Sequence, residues 1–246
     1  SSSSLICGII SGLNYLNNLK LSSNEIVDIV SDVEHNFIGL KGGIMDQFTI
    51  VNGKKNKLLL LNCQNRDFKY IDSNLGPYKI ILFDTKIEHN LSNSSYNIRV
   101  EECNEALQII KKKYKKYNFL VDVEEKVLNE FKDTLNEKVY NRALFVIQEN
   151  KRTIESANKI SQSKFKEFGK LMYKSHHGLK ELYDVSCEEL DFLVEFSCSY
   201  NEVIGSRMMG GGFGGCTINL IEENFVDDFI KTVSSAYLTK FNVRLN

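Results

Sequence analysis

The chain has 246 residues, of which 42% are hydrophobic and 26% charged, with 31 basic against 32 acidic residues. This composition supports one or two globular domains and excludes a disordered chain. The near-zero net charge supplies no general attraction to nucleic acid or to an anionic membrane, so a small ligand is the favoured partner.

The cysteines and the apolar start of the chain exclude three further classes. The six cysteines include no CxxC pair, so neither a zinc ribbon nor a disulfide framework is indicated; they are Cys7, Cys63, Cys103, Cys187, Cys198 and Cys216. The apolar run 5–16 is short, contains Ser11 and Asn14, and has no basic flank. It therefore indicates a buried helix and neither a signal peptide nor a membrane span, and we expect a cytoplasmic protein.

Two helices are predicted at the start of the chain. Residues 1–4 are serines, which are potential N-caps, directly before apolar residues spaced as on one helix face. A second helix is predicted over about 24–37, with Ile26, Val30 and Phe37 on its apolar face. We expect this helix to end at Gly39 as its C-cap.

Strands are predicted next, with helices after them. The pattern beyond the Gly42-Gly43 turn predicts four strands, at about 48–52, 57–62, 68–71 and 78–83. From about 101 to 200 the apolar spacing is helical, and the lysine cluster 111–116 indicates the solvated end of one helix. A glycine loop, a strand over 216–221 and a helix over about 223–240 follow. This order predicts an α+β fold in two domains.

The strongest local signal is the glycine loop, residues 210–215, which has five glycines in six positions. Glycine is needed where the backbone takes positive φ or approaches another group closely. The loop contains a GxGxxG pattern, but a dinucleotide site needs a strand before it and a helix after it, whereas the predicted strand follows the loop. A phosphate cradle of amide groups and a structural turn remain equally open.

Three further features could carry chemistry. The serine run either binds an anion at a helix N-terminus or serves as an ordinary cap. Asp46 is either an N-cap or a catalytic carboxylate that accepts a hydroxyl proton, and Glu34 is either a surface residue or a metal ligand. Metal-ligand spacing is lacking among the histidines, which favours surface or capping roles for His35, His89, His176 and His177.

Taken in this order, these features resemble the galactokinase branch of the GHMP family, whose members are kinases of sugars and other small molecules. The resemblance spans nearly the whole chain and is most specific at residues 43–48 (Gly-Ile-Met-Asp-Gln-Phe) and in the glycine loop. It also includes the serine run and residues 34–39, 95–99, 185–191 and 207–217.

The resemblance implies roles in phosphoryl transfer for four residues. It makes Asp46 the catalytic aspartate, which also contacts the sugar. Ser1 and Ser2 match phosphate-binding serines, and Ser2 with Glu34 matches the ligands of Mg²⁺. That ligand pair is feasible only if the helix that holds Glu34 ends beside the serine-capped helix.

Further implications concern the sugar, the nucleotide and the fold. Gly43 and Tyr96 match sugar contacts, and Gly211 and Gly212 belong to a motif that supports the nucleotide site. The implied architecture is a partial N-terminal ATP-binding domain over 1–84 and a ferredoxin-like C-terminal domain over 85–246. The implied reaction transfers the γ-phosphate of ATP to the C1 hydroxyl of galactose with Mg²⁺, in a protein that is a monomer when complete.

Two rival functions and two departures from the family pattern accompany this resemblance. N-acetylgalactosamine kinases share most of the motifs, and a non-catalytic galactose-sensing homologue is possible, although retention of both Asp46 and Glu34 argues against it. The family also carries a segment before the serine run, with an arginine near the catalytic aspartate and the adenine pocket, and a closing strand. None of these is present, so we expect no significant kinase activity from this chain alone.

Overall fold

The structure, a computed structural model, describes residues 2–39, 42–87 and 95–246, and of Ser95 and Tyr96 only the backbone. The described chain divides into two compact units. Unit 1 ends at Asn74 and unit 2 begins at Leu75. Among the described helices, none combines the length and the apolar character that a bilayer span requires.

Unit 1 contains three packed helices: α1 (Ser2–Leu16), α2 (Ser23–Asp32) and α3 (Met45–Asn52). The helix α2 begins with a capping box, in which Ser22 and Glu25 each accept a hydrogen bond from the other's backbone N–H. The centre of this unit is apolar and includes Cys7, Ile26 and Val30. The apolar periodicity thus predicts the helices α1 and most of α2 correctly. The expectation that the helix over 5–16 is buried is wrong, because Leu5, Ile9 and Leu13 are at least half exposed and the face that packs inward contains Ser3 and Cys7.

The end of the second helix differs from the prediction. Residues Val33–Ile38 continue α2 as a π-helical turn, which ends at Gly39 with φ of +80°. Phe37 is 89% exposed, so its predicted place on the apolar face is wrong. The reason is that i→i+5 hydrogen bonds widen the turn, and the 3.6-residue period no longer decides which side chains face inward.

The strand predicted at 48–52 is also wrong, because these residues belong to α3. Its β-branched residues favour a strand locally, but Phe48 is 1% exposed in the helix and packing of α3 on α1 and α2 overrides that preference. Two other strands are confirmed: β1 (Lys57–Leu61) and β2 (Phe68–Asp72) form an antiparallel pair.

Unit 2 is built on a three-stranded antiparallel sheet. Its strands are β3 (Tyr78–Asp84), β4 (Val203–Met208) and β5 (Cys216–Glu222), in the order β3-β5-β4. The strand β4 was not predicted, because Gly205 and Ser206 at its centre have low strand propensity. A Cβ on Gly169 would lie 1.9 Å from the Ile204 carbonyl oxygen, so this glycine lets a helix approach the β4 backbone closely.

Six helices complete unit 2 within the described residues. They are α4 (Ser95–Lys113), α5 (Glu125–Asn129), α6 (Glu137–Ser161), α7 (Phe165–Glu181), α8 (Glu188–Ser197) and α9 (Val226–Phe241). One apolar cluster joins the sheet to α8 and α9 and includes Phe83, Leu193, Phe229 and Tyr237. The helix α7 packs on β4, so the sheet is covered by helices and the α+β class is confirmed.

The units divide earlier than the domain boundary predicted at 84/85. The strand β3 pairs with β5 over its whole length, from Tyr78 opposite Glu222 to Asp84 opposite Cys216. These contacts place residues 75–84 in unit 2 rather than with the helices of unit 1. The assignment of family domains to 1–84 and 85–246 stays a prediction.

Candidate active site

The carboxylate of Glu34 lies at the N-terminus of α1, inside unit 1. Ser3 Oγ donates to Glu34 Oε1 at 2.5 Å, and Ser2 Oγ donates to the same oxygen at 3.3 Å. The turn that holds Glu34 therefore ends beside the serine helix, which is the arrangement that Ser2 and Glu34 need in order to bind one Mg²⁺ ion together. Glu34 is 3% exposed, so the alternative of a surface residue is excluded.

No positively charged side chain of the described residues balances the negative charge of Glu34. No Lys, Arg or His of the described residues forms an ion pair with it, and no described group donates to Oε2. Burial of an ionised carboxylate without a cation is costly, and two hydroxyl donors offset only part of that cost. The site therefore fits a cation bound at Oε2.

Magnesium is the cation that this donor set suits. Within the described ranges, no three His, Cys, Asp or Glu residues cluster as a metal site. Mg²⁺ does not need such a cage, since it commonly binds one or two carboxylates, waters and substrate phosphate oxygens. Glu34 with the Ser2 hydroxyl supplies the protein share of such a site, and their ligand role stays a prediction.

The first turn of α1 suits an anion. Ser2, Ser3 and Ser4 lie inside the helix instead of before it, and the first turn contains no acidic residue. In the first turn of a helix, the backbone N–H groups lack intrahelical acceptors and point in the same direction as the positive end of the helix dipole. Ser1, the second predicted phosphate ligand, lies outside the described residues.

Asp46 is the second residue of α3. The N-cap of this helix is Ile44, with no side-chain cap, so the N-cap alternative for Asp46 is wrong. The side chain is exposed, and no described residue gives it a hydrogen bond or an ion pair. An accessible carboxylate without a partner is available to accept a proton from a bound hydroxyl.

Gln47, which the sequence reasoning did not single out, fixes the turn before α3. Its side chain is 1% exposed, and Nε2 donates to Ser31 Oγ at 2.9 Å and to the Gly43 carbonyl at 3.1 Å. This ties the start of α3 to α2 and so orients Asp46. The sequence gives little sign of this role, because Gln47 is a polar residue that stands between the exposed Asp46 and the buried Phe48.

The predicted sugar contacts are Gly43 and Tyr96. A Cβ on Gly43 would meet no described atom within 4 Å, so the missing side chain leaves open space next to the turn that precedes Asp46. Tyr96 lies in the first turn of α4, and its side chain lies outside the described residues. In unit 2, buried Arg99 anchors α4, because it donates to the Tyr183 carbonyl at 2.8 Å and to Asp184 Oδ2 at 2.9 Å. Both sugar contacts stay predictions.

The glycine loop in unit 2 is a turn that allows close backbone approach, and its amide groups leave the phosphate-cradle alternative open. Gly212 has φ of +87°, and a Cβ there would lie 2.1 Å from the Val185 carbonyl oxygen, so close backbone approach requires this glycine. The N–H groups of Gly210, Gly211 and Gly212 have no acceptor among the described residues. Successive unpaired N–H groups in a turn can form an anion-binding concavity. Binding of a nucleotide by Gly211 and Gly212 stays a prediction.

The elements on either side of the GxGxxG pattern differ in part from the prediction. A strand, β4, does precede the loop, contrary to the prediction. The element after the loop is β5, so the loop joins two antiparallel strands. Because no helix opens at the loop, a dinucleotide fingerprint is still excluded.

Two segments of the chain match models of known protein families. Residues 1–54 match the GHMP kinases N terminal domain, and residues 154–237 match the GHMP kinases C terminal domain. The two segments together make up more than half of the chain.

Curated relatives that match most of this chain include galactokinases. The galactokinase of Clostridium acetobutylicum is 39% identical over 96% of this chain and 60% of its own length. The galactokinase of Bacillus subtilis is 39% identical over 92% of this chain and 58% of its own length. The chain thus spans about three fifths of the length of the curated relatives it matches.

Solved structures agree on the fold. Lactococcus lactis galactokinase, solved with galactose, superposes with a TM-score of 0.95 at 31% identity, covering 100% of this chain and 63% of that chain. L. major mevalonate kinase, solved with R-mevalonate, has a TM-score of 0.59 at 18% identity, covers 98% of this chain and 61% of that chain, and supports the fold alone.

Proposed function

The chain belongs to the GHMP kinase family, and we propose on this premise that the protein is a galactokinase. The proposed reaction transfers the γ-phosphate of ATP to the C1 hydroxyl of galactose. The observation that carries the proposal is the buried Glu34 carboxylate, held by Ser2 and Ser3 at the N-terminus of α1. The relatives named galactokinase and the likeness to a galactose complex supply the substrate class.

The protein's contribution to phosphoryl transfer is chiefly positioning and charge stabilisation. The backbone N–H groups at the N-terminus of α1 bind phosphate oxygens, assisted by the Ser1 and Ser2 hydroxyls. Glu34 and Ser2 hold Mg²⁺, which neutralises part of the triphosphate charge when bound. The glycine loop, by the same proposal, supports the nucleotide.

Asp46 handles the proton of the acceptor. It takes the proton of the C1 hydroxyl as that oxygen forms a bond to the γ-phosphorus, and the bond from the γ-phosphorus to the bridging oxygen breaks, releasing ADP. Gly43 leaves room for the sugar, and Tyr96 contacts it. All six cysteines are unpaired, which fits the reducing cytoplasm where we place this reaction.

The test is ATP-dependent phosphorylation by the natural full-length protein. ADP release is measured with MgATP and galactose, N-acetylgalactosamine or glucose, and the sugar product is identified by NMR. We expect turnover with galactose of about 1 per second or faster, the low end of typical enzyme values, and galactose 1-phosphate as the product. Faster turnover with N-acetylgalactosamine, or galactose binding without ADP release, would overturn the proposal.

A further inference from the structure

His176 lies buried in unit 2, on the helix α7 that covers β4, so a surface role is wrong for it. Its Nδ1 accepts a hydrogen bond from the backbone N–H of Met208 at 3.2 Å. Met208 is the last residue of β4, two positions before the glycine loop. Because Nδ1 is an acceptor here, a neutral imidazole carries its proton on Nε2.

Asp191 faces that proton. Its Oδ1 lies 3.2 Å from His176 Nε2, and no other acceptor for Nε2 occurs among the described residues. The contact falls short of a linear hydrogen bond, so it orients the ring mainly through charge. The carboxylate is itself fixed, because Ser186 Oγ donates to Oδ1 at 2.5 Å and Lys180 Nζ lies 3.1 Å from Oδ2. A carboxylate in this place selects the tautomer that leaves Nδ1 free to accept.

The same segment, residues 185–191, also holds the other side of the glycine loop. The Val185 carbonyl accepts the N–H of Phe213 at 2.6 Å and lies against Gly212. The unpaired N–H groups of residues 210–212 lie between these two anchors, Met208 and Phe213. The shape of the anion-binding concavity therefore depends on contacts at both of its ends.

We propose that His176 is a positioning residue which, oriented by Asp191, fixes the Met208 amide and thereby aligns the N–H groups of residues 210–212 for the phosphates of a nucleotide. The nature of this ligand rests on the proposed function. The chain of contacts from Ser186 through Asp191 and His176 to Met208 gives a role to the 185–191 motif, which the proposed reaction leaves without one.

Two variants of His176 distinguish the role of Nδ1 from that of Nε2. His176→Asn keeps a carbonyl oxygen near the position of Nδ1, so it can still accept the Met208 N–H. His176→Gln reaches the position of Nε2 and loses that acceptor. The neighbour His177 is exposed and serves as the control in His177→Gln.

Three measurements on the natural full-length protein use these variants. The first is hydrogen exchange of the Met208 amide and of the loop amides, and the second is the tautomer of His176 from its ¹⁵N imidazole signals. The third is calorimetric binding of MgATP and, separately, of galactose. Calorimetry measures binding without turnover, so the measured affinities do not depend on whether the protein phosphorylates galactose.

We expect His176→Gln to speed exchange at Met208 and to weaken MgATP binding, each by about threefold to tenfold, as for loss of one hydrogen bond. Galactose binding is expected to stay unchanged. His176→Asn and His177→Gln are expected to remain within about twofold of the wild type, a spread smaller than the loss of one hydrogen bond, and the imidazole is expected to carry its proton on Nε2.

The proposal is overturned by a proton on Nδ1, by unchanged exchange in His176→Gln, or by faster exchange with unchanged MgATP binding. A wild type that binds MgATP but phosphorylates no galactose would instead refute the galactokinase proposal and leave this one intact. Equal losses in the Asn and Gln variants would show that His176 contributes only packing, which also refutes the positioning role.

Discussion

The hydroxyl of Ser3 lies 2.5 Å from Oε1 of Glu34, and both side chains are almost fully buried. Hydrogen bonds to charged groups are stronger than those between neutral groups, and they matter most where water is excluded. Ser3 therefore fixes one oxygen of the carboxylate and leaves the other to a cation. Sequence reasoning assigned no role to Ser3, although the serine run contains it.

Ser3→Ala is expected to lower the free energy of unfolding by about 1–3 kcal/mol in the absence of Mg²⁺, because a buried charged acceptor loses a donor. Urea denaturation of the chain measures this change. Ser23→Ala, at an exposed position in the first turn of α2, is the matched control and is expected to change stability by less than about 0.5 kcal/mol. Equal effects of the two substitutions would contradict the assigned hydrogen bond.

Glu34→Gln tests the cation site in the natural full-length protein. The Mg²⁺ concentration for half-maximal rate is expected to rise by at least about tenfold, since loss of outer partners alone costs that much at metal sites. Binding of galactose alone is expected to remain unchanged. A second readout is the rise in Tm on addition of MgADP, which is expected to shrink.

Glu105→Gln is the control for this substitution, because Glu105 is exposed on α4. It is expected to leave both the Mg²⁺ dependence and the Tm response as in the wild type. A Glu34→Gln protein with an unchanged Mg²⁺ requirement would remove Glu34 from the ligand set.

Asp46→Asn is expected to lower kcat by roughly 10²- to 10⁴-fold, the usual contribution of a positioned proton acceptor. MgATP binding is expected to remain largely intact, because the amide keeps the shape of the side chain. Steady-state kinetics with galactose and calorimetry with MgATP measure the two quantities. The exposed Asp133→Asn is the control. If kcat is unchanged and only Tm falls, Asp46 merely interacts with the dipole of α3.

The folded protein is expected to lose stability in acid through Asp191. Burial opposes its ionisation, but the close contact with His176, the hydrogen bond from Ser186 and the ammonium group of Lys180 outweigh this and lower its pKa to about 2. A depressed pKa means that its contribution, about 2 kcal/mol, is fully present above about pH 4 and is lost as the pH falls towards 2.

Urea denaturation between pH 6 and pH 2 checks this dependence. The wild type is expected to lose that stability between about pH 4 and pH 2, whereas Asp191→Asn is expected to be less stable above pH 4 and to lose less in acid. Parallel pH profiles for the two proteins would show that Asp191 is not the group responsible.

The local sequence determined much of the secondary structure. The helices α1 and α2 and the strands β1, β2, β3 and β5 follow from apolar periodicity and turn residues, because these signals act over a few neighbouring residues. The family resemblance rests on short motifs, and the comparisons confirm it.

Only the tertiary structure decided the features that depend on contacts between distant residues. Packing on α1 and α2 makes α3 a helix, and pairing with β5 makes β4 a strand despite Gly205 and Ser206. Glu34 is hydrogen-bonded to Ser3, 31 residues away in the sequence, and His176 is hydrogen-bonded to Met208, 32 residues away. No local pattern encodes such pairs, because the free energy that forms them arises only when the separate elements pack together.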